Sequence, residues 1–385
     1  MQPLFTEIFA GIIGLTFGHF VMFIIGGALI FLAIRYEYEP MLLLPIGFGA
    51  ILANIPLSSA LGVEGAHGYE PGFLTTLFHA GIANELFPVL IFIAVGAMID
   101  FKPLLQNPFM LFFGAAAQFG IFFTMMFALF LDFDLKEAAS IGIIGAADGP
   151  TSIFVAGMFA PNLLGPISVA AYSYMAMVPL IQPPVIRLLT TKKERLTRMA
   201  YTTTEIPRIV EILFPIIITL IAGIIAPISV ALIGALMFGN LVRVCGVLER
   251  LSQSAQNELA SLVTLLLGIT IGSTMTADKF LTTSTLMIMG MGLLAFIFDT
   301  AGGVLFAKLI NLFLPKGKKV NPMIGAAGIS AFPMSGRVVQ KMAAHEDPAN
   351  FVLMQATSAN VSGQLGSVVA GSLMLALVPV IMATM

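Results

Sequence analysis

Long apolar runs separated by short polar ones dominate the chain. Stretches near 18–34, 40–56, 86–100, 109–131 and 163–185, then 209–226, 228–243, 259–277, 284–306 and 351–383, carry almost no charge. A helix needs roughly 20 apolar residues to cross a bilayer, so each run reads as a spanning helix, the shorter ones broken or tilted. That gives five spans and then five more. Between the fourth and fifth of each set lies an additional apolar piece rich in Gly, Pro and Ser, 137–160 and 320–343. These two pieces either cross the membrane or turn back within it.

Charge decides between the options. Cytoplasmic loops hold most Lys and Arg, and 186–208, "IRLLTTKKERLTRMAYTTTEIPR", is the most basic stretch. With both pieces re-entrant, all of the 18 Lys and Arg except Lys136 and Lys279 fall on or near the inner side. The two pieces therefore read as hairpins, the first entering from outside and the second from inside. Five crossings per half is odd, so the second half must run opposite to the first. The expected fold is an all-α polytopic membrane protein, an inverted repeat of two five-span halves, 1–185 and 209–385, joined by the basic cytoplasmic linker 186–208. "IGAA" at 144–147 recurs at 324–327, at the start of each hairpin, and "AYSY" at 171–174 is loosely echoed by "ATSAN" at 356–360.

Composition agrees with this reading. At 58% hydrophobic and 10% charged residues, with a mean hydropathy of +1.00, a soluble globular domain is excluded. A net charge of −2 points to no nucleic-acid partner. No Lys or Arg precedes Arg35, so no removable signal peptide is expected. The lone Cys245 excludes an intrachain disulfide and sits outside any metal-ligand spacing. No nucleotide loop, Cys cluster or nucleophile elbow occurs.

Polar residues at membrane depth are costly and normally kept for an ion, a proton or a partner. Asp148, beside the Gly149-Pro150 break, is the foremost; the plainer alternative is a helix cap aided by Thr151 and Ser152. The second hairpin offers Asn321, Ser330 and Arg337, although Asn321 before Pro322 suits an ordinary helix start and Arg337 could snorkel. In the last span Asn360, Gln364, Ser367 and Gly371 form a polar stripe along one helix face, which is either functional or a packing face. Tyr172 and Tyr174 lie in an otherwise apolar span, and Tyr174 is expected to reach the hairpin or to be an ordinary packed aromatic. Asp299 is a second intramembrane acid, while Asp100 and Lys102 look like interface residues. His67, His79 and His345 read as solvated loop residues.

"IGIIGAADGPTSIF", "AYSYMAMVPLIQPP" and "NPMIGAAGISAFPMSGRVVQK" resemble the membrane beta subunit of the sodium-pumping biotin-dependent decarboxylases, which serve oxaloacetate, methylmalonyl-CoA and glutaconyl-CoA. The likeness begins at "EPMLLLPIGFGAILANIP", 39–56, and runs through nearly the whole chain. It implies a membrane subunit that decarboxylates carboxybiotin, loaded by a separate soluble subunit, while exporting sodium ions. It implies as partners a carboxyltransferase subunit, a biotin carrier subunit and a small membrane-anchoring subunit, in an oligomeric complex of the bacterial cytoplasmic membrane. Carried over by matching motif, the functional positions are Asp148, Tyr174, Asn321, Gly325, Ser330, Arg337 and Asn360. Asp148, Asn321, Ser330 and Asn360 would hold sodium, Arg337 and Gly325 would meet carboxybiotin, and Tyr174 would pass a proton to the ureido nitrogen. "PMSGR" at 333–337 departs from the family pattern, in which Ala before the Arg is more usual. The rival reading is a sodium-coupled secondary transporter, a carboxylate symporter or sodium/proton exchanger; a membrane scaffold has no use for acids at membrane depth. The compact length favours the CoA-ester enzymes within the family.

Overall fold

The computed structural model describes residues 9–65, 68–199, 205–315 and 317–384. Among them, seven helices are long and apolar enough to span a membrane, and two bent helix pairs bring the total to nine. The first half supplies α1 (Phe17–Tyr36), the short apolar α2 (Pro40–Ala53), a bent pair ending in α3 (Leu86–Met98), the span α4 (Pro108–Phe130), hairpin helices α5 (Leu135–Gly142) and α6 (Gly149–Phe159), and a second bent pair, α7 (Pro161–Ala176) with α8 (Val178–Leu189). The second half supplies α9 (Arg208–Ile225), α10 (Pro227–Val244), α11 (Glu249–Ser273), the long α12 (Thr283–Phe313), the hairpin helix α13 (Met334–Glu346) and α14 (Leu353–Thr384). Counting α2 as a short crossing, the ten apolar runs of the sequence each correspond to one of these segments.

Local chemistry sets the helix ends. Thr16 and His19 form a reciprocal cap on α1, and Asp134 and Glu137 do the same for α5. Proline opens α2, α4, α7 and α10, where its missing N–H costs nothing. At 14 residues α2 is too short to cross a bilayer unaided. Its end is pinned instead: the Asn54 amide donates to the Ala50 and Met275 carbonyls at 2.8 and 2.7 Å, and its oxygen accepts from the Ala277 N–H at 2.8 Å.

The region between α2 and α3 departs from the all-α expectation. Residues 57–85 hold an antiparallel ribbon, β1 (Gly62–Gly65) with β2 (Gly68–Pro71). A helical segment, Phe73–Ile82, then meets α3 at a 61° bend. The alternation that builds the ribbon is too short and glycine-rich to register as a strand signal. His79 lies in the π-helical turn of this segment and His345 in the last turn of α13, so both are helical rather than loop residues, though exposed. His67 lies outside the described residues.

Glycine faces set the packing. In lipid there is no hydrophobic drive between helices, so close backbone approach through small residues carries association. Gly49 of α2 and Gly272 of α11 lie against each other's helix backbone, and Gly96 of α3 and Gly239 of α10 do the same for their pair. A Cβ at Gly272 would stand 2.8 Å from the Gly49 Cα and the Ala50 nitrogen, whereas nothing lies within 4 Å of one at Gly290. Gly272→Ala is expected to lower the thermal unfolding midpoint of the detergent-solubilised protein by the equivalent of about 1–3 kcal/mol. Gly290→Ala, on the open face of α12, is expected to raise it by up to about 1 kcal/mol through helix propensity.

Candidate functional site

Both extra apolar pieces are broken helices, and they touch at their breaks. The first arm, α5, tightens into a 3-10 turn at Ile143–Ala146, Ala147 adopts a left-handed conformation (φ 53°), and Asp148 begins α6. The second piece runs through a short helix, Met323–Ala326, and an irregular stretch before α13. At the meeting point the Ser330 N–H donates to the Ala146 carbonyl at 3.0 Å. Irregular backbone at such depth is tolerated only inside protein or beside a cavity, and every residue from 138 to 156 and from 320 to 331 is buried.

Asp148, 5% exposed, caps α6. Its Oδ1 accepts from the Thr151 N–H at 3.5 Å, and its Oδ2 accepts from the Thr151 and Ser367 hydroxyls at 2.6 and 2.7 Å. The cap reading therefore holds as geometry. The Ser367 bond goes beyond it, because α14 reaches across to the hairpin. None of the four ion pairs among the described residues includes Asp148.

The polar stripe of α14 binds the second tip. Asn360 donates to the Ile329 carbonyl at 2.7 Å and the Ser335 hydroxyl at 2.9 Å. Ser330 donates to the Gly363 carbonyl at 2.8 Å, and the Gln364 amide donates to the Ser330 carbonyl. Asp148, Ser330 and Asn360 are thus joined through one helix face.

Other expected site residues lie elsewhere. The Asn321 amide donates to the Arg195 and Thr197 carbonyls, both at 2.9 Å, and its oxygen accepts from the Met323 N–H at 3.1 Å. It has no bond to the Asp148 cluster, because its groups are spent at the hairpin base. Tyr174 donates to the Met289 carbonyl of α12 at 2.5 Å, and it is Tyr172 whose ring packs on Gly149 beside Asp148. Two residues on a helix differ by about 200°, so the Tyr174 hydroxyl is spent on α12 rather than on the Asp148 cluster, while its ring edge and Ile144 of the first hairpin both lie against Gly292. Gly325 is buried with its backbone against Gly303 of α12, a close-packing position. Arg337 is exposed, and its side chain makes no hydrogen bond or ion pair among the described residues.

Several polar groups escaped the sequence reading. Gln182 donates to the Ala326 carbonyl at 2.7 Å, Gln118 to the Gly114 and Gly328 carbonyls at 3.0 and 3.5 Å, and Ser335 to the Ala327 carbonyl at 3.2 Å. Each secures backbone of the second hairpin. Gln118 and Gln182 are lone amides in apolar runs, and the rule that singled out Asp148 would have flagged them. Asp299, fully buried, accepts from the Ile121 N–H at 3.2 Å, while its second oxygen faces Gly145 and has no partner among the described residues.

A strap, residues 190–199 of the basic linker, clasps the base of the second hairpin. Arg195 pairs with Glu346 and Arg198 with Asp347, each at 2.7 Å, and Asn321 and Asn350 hold its carbonyls. The hydrogen bond from Arg198 holds the Asp347 carboxyl below its ordinary range, and that from Arg195 does so for Glu346. Depressed carboxyls contribute above their unfolded pKa and lose that contribution as pH falls through the folded one, so the strap is held throughout the neutral range. Asn321→Asp keeps the oxygen but loses both amide donors. It is expected to speed protease cleavage within 190–199, measured on membrane vesicles, while Asn321→Gln is expected to restore part of the protection.

A bundle of apolar segments around two buried, broken helices that meet beside a carboxylate defines a multi-pass membrane protein built around an intramembrane polar site. The model of the beta subunit of the Na+-transporting oxaloacetate decarboxylase matches residues 18–378. The methylmalonyl-CoA decarboxylase subunit beta of Veillonella parvula is 50% identical over 368 residues, covering 96% of this chain and 95% of that one. The glutaconyl-CoA decarboxylase subunit beta of Acidaminococcus fermentans is 49% identical, with 96% of each chain covered. The oxaloacetate decarboxylase beta chain 2 of Salmonella typhi is 44% identical, covering 95% and 96%. The chain belongs to this family of sodium-pumping decarboxylase beta subunits, and its role is that of the membrane-embedded decarboxylase subunit rather than a free-standing secondary transporter.

Proposed function

We propose that this subunit decarboxylates carboxybiotin presented by a partner and couples the loss of CO2 to sodium export through the Asp148 site. The observation that carries the proposal is a buried carboxylate, free of any ion pair among the described residues, held by hydroxyls from two different elements where two hairpins meet. Sodium prefers hard oxygen ligands, and broken-helix carbonyls beside a carboxylate supply them. The Thr151 and Ser367 hydroxyls donate to Asp148 in this arrangement; rotated, each offers a lone pair to the ion. Ser330, bonded to Gly363 and Gln364 of α14, and Asn360 of α14 itself stand next in line, and Asn321 acts through the strap.

Carboxybiotin carries its charge on a carboxylate. Arg337, exposed on α13 and without an internal partner, suits it through paired hydrogen bonds. Breaking the N–CO2 bond releases CO2 and leaves electrons on the ureido nitrogen, which must take up one proton. Tyr174 is the assigned relay, and Tyr172, nearer the hairpin, is the alternative. Coupling follows from linkage: occupied sodium sites favour one arrangement of the tips and loss of the carboxyl group favours the other.

The two halves, 1–185 and 209–385, form an inverted repeat in this reading. It is supported by the exchange of partners, α2 packing on α11 as α10 packs on α3. The basic linker 186–208 faces the cytoplasm, together with the second hairpin's base. A carboxyltransferase subunit, a biotin carrier subunit and a small membrane-anchoring subunit complete the assembly. Within the family we favour a CoA-ester substrate for the partner, since identity is 50%, 49% and 45% to three CoA-ester chains and 44% to the oxaloacetate chain.

In a Cys245→Ala background, Lys318→Cys is expected to label only from the cytoplasmic side and Lys136→Cys only from outside. External labelling at 318 would overturn the inverted arrangement. The function is tested with the purified complex by carboxybiotin decarboxylation in sodium against potassium; equal rates would overturn the coupling.

A further inference from the structure

Two adjoining cavities on the flank of α12 form one groove along it. The first, about 730 Å3, lies between α4 and α12 and is walled by Phe112, Phe119, Phe122, Gly302 and Phe306. The second, about 430 Å3, lies where the end of α12 meets the strap and is walled by Glu194, Thr197, Lys308, Asn311 and Lys319. Leu305 and Leu309 line both, so the two adjoin along α12. Phe112, Phe119 and Leu305 are each more than half exposed, which leaves the apolar part open to the lipid.

We infer that this groove binds an anionic phospholipid, its phosphate on Lys308 and Lys319 and an acyl chain along Leu309, Leu305 and Phe119. Three observations converge on that occupant. The α12 residues lining the groove run from Gly302 to Leu312, a rise of about 15 Å along the helix, which is half of a hydrocarbon core of about 30 Å. That matches one leaflet. The charge is confined to one end: Lys308 pairs with Glu194 at 3.3 Å and donates to the Leu189 carbonyl at 2.9 Å, while Lys319 is exposed with no partner among the described residues. Two cations against one acid leave that end positive, and basic pockets between spanning helices are where anionic headgroups settle. A partner's spanning helix would fill the apolar part but has no use for cations confined to the interface.

The site reaches the second hairpin. Glu194 and Thr197 belong to the strap, and the Thr197 carbonyl accepts from Asn321. A headgroup seated there braces the strap against α12, and so steadies the hairpin base. The inference stands whichever way the chain faces and whatever the subunit transports.

The full chain, alone and with co-purifying subunits, is reconstituted in bilayers of phosphatidylcholine mixed with phosphatidylglycerol, and retained lipid is measured by native mass spectrometry. The wild type is expected to retain phosphatidylglycerol selectively. Lys319→Gln, an exposed change that leaves the fold alone, is expected to weaken that preference about fivefold, and Lys308→Gln further. Ala115→Phe, which fills the open groove, is expected to lower retention of both lipids with the charge preference unchanged. Phosphatidylglycerol retention unchanged in the Lys308→Gln, Lys319→Gln double variant would overturn the proposal. Displacement of the lipid by inorganic phosphate alone would overturn it too, and so would an assembled complex that retains no lipid because a partner helix fills the groove.

Discussion

Asp148→Asn is expected to leave a folded, assembled complex that no longer responds to sodium. The amide retains an oxygen that caps α6 about as well as the acid, and the Thr151 and Ser367 hydroxyls can turn to accept from its NH2 group. If Asp148 were a cap alone, the variant would turn over like the wild type. As a sodium ligand it loses the one negative charge of the cluster. At about 4 Å and an effective dielectric near 20, a unit charge pair is worth about 4 kcal/mol, on the order of a thousandfold in affinity. Two measurements separate the cases. Sodium-stimulated decarboxylation is expected to vanish, and sodium protection against proteolysis, which follows site occupancy, is expected to vanish with it. If both survive unchanged, the acid is a helix cap and the ion site lies elsewhere, with Asp299 and its unpartnered oxygen next to be changed.

What the sequence made legible was what the bilayer enforces. Apolar runs and the cost of intramembrane polarity are one-dimensional signals, and they placed ten apolar segments, two broken pieces between them and a buried Asp148. The joining of Asp148 to Ser330 through α14 was half visible, since the spacing of Asn360, Gln364 and Ser367 marks one face without naming what that face meets. Azimuth is what the sequence left open. Tyr172 and Tyr174 are two residues apart, and only the packing of α7 between α6 and α12 decides which ring faces which neighbour. Asn321 was misplaced for a different reason. Its partners, the Arg195 and Thr197 carbonyls, are main-chain groups of a linker more than a hundred residues away, and no side-chain pattern announces them. The strap itself was seen only as charge, because Arg195–Glu346 and Arg198–Asp347 are non-local pairs.

Arg337→Lys is expected to slow carboxybiotin decarboxylation by about a hundredfold, the usual scale for losing a donor aimed at a developing or bound anion, while shifting the sodium concentration for half-stimulation by no more than about twofold. The substitution preserves charge and length, so a role in the general field of the site would be nearly silent to it. What it removes is the planar fork that holds both carboxylate oxygens at once. The geometry of α13 makes the contrast testable on the same helix. Arg337, Lys341 and His345 recur every four residues and are all exposed, so they lie along one face from the hairpin toward the strap. Lys341 has the charge without the position. Lys341→Gln is expected to raise the carrier concentration needed for half-maximal rate and its salt dependence, leaving the maximal rate intact, because a charge on the approach path steers encounter rather than the bound carboxylate. An Arg337→Lys variant that behaves like Lys341→Gln would reduce Arg337 to a steering charge. One that loses sodium stimulation and decarboxylation in equal measure would place it at the ion site instead.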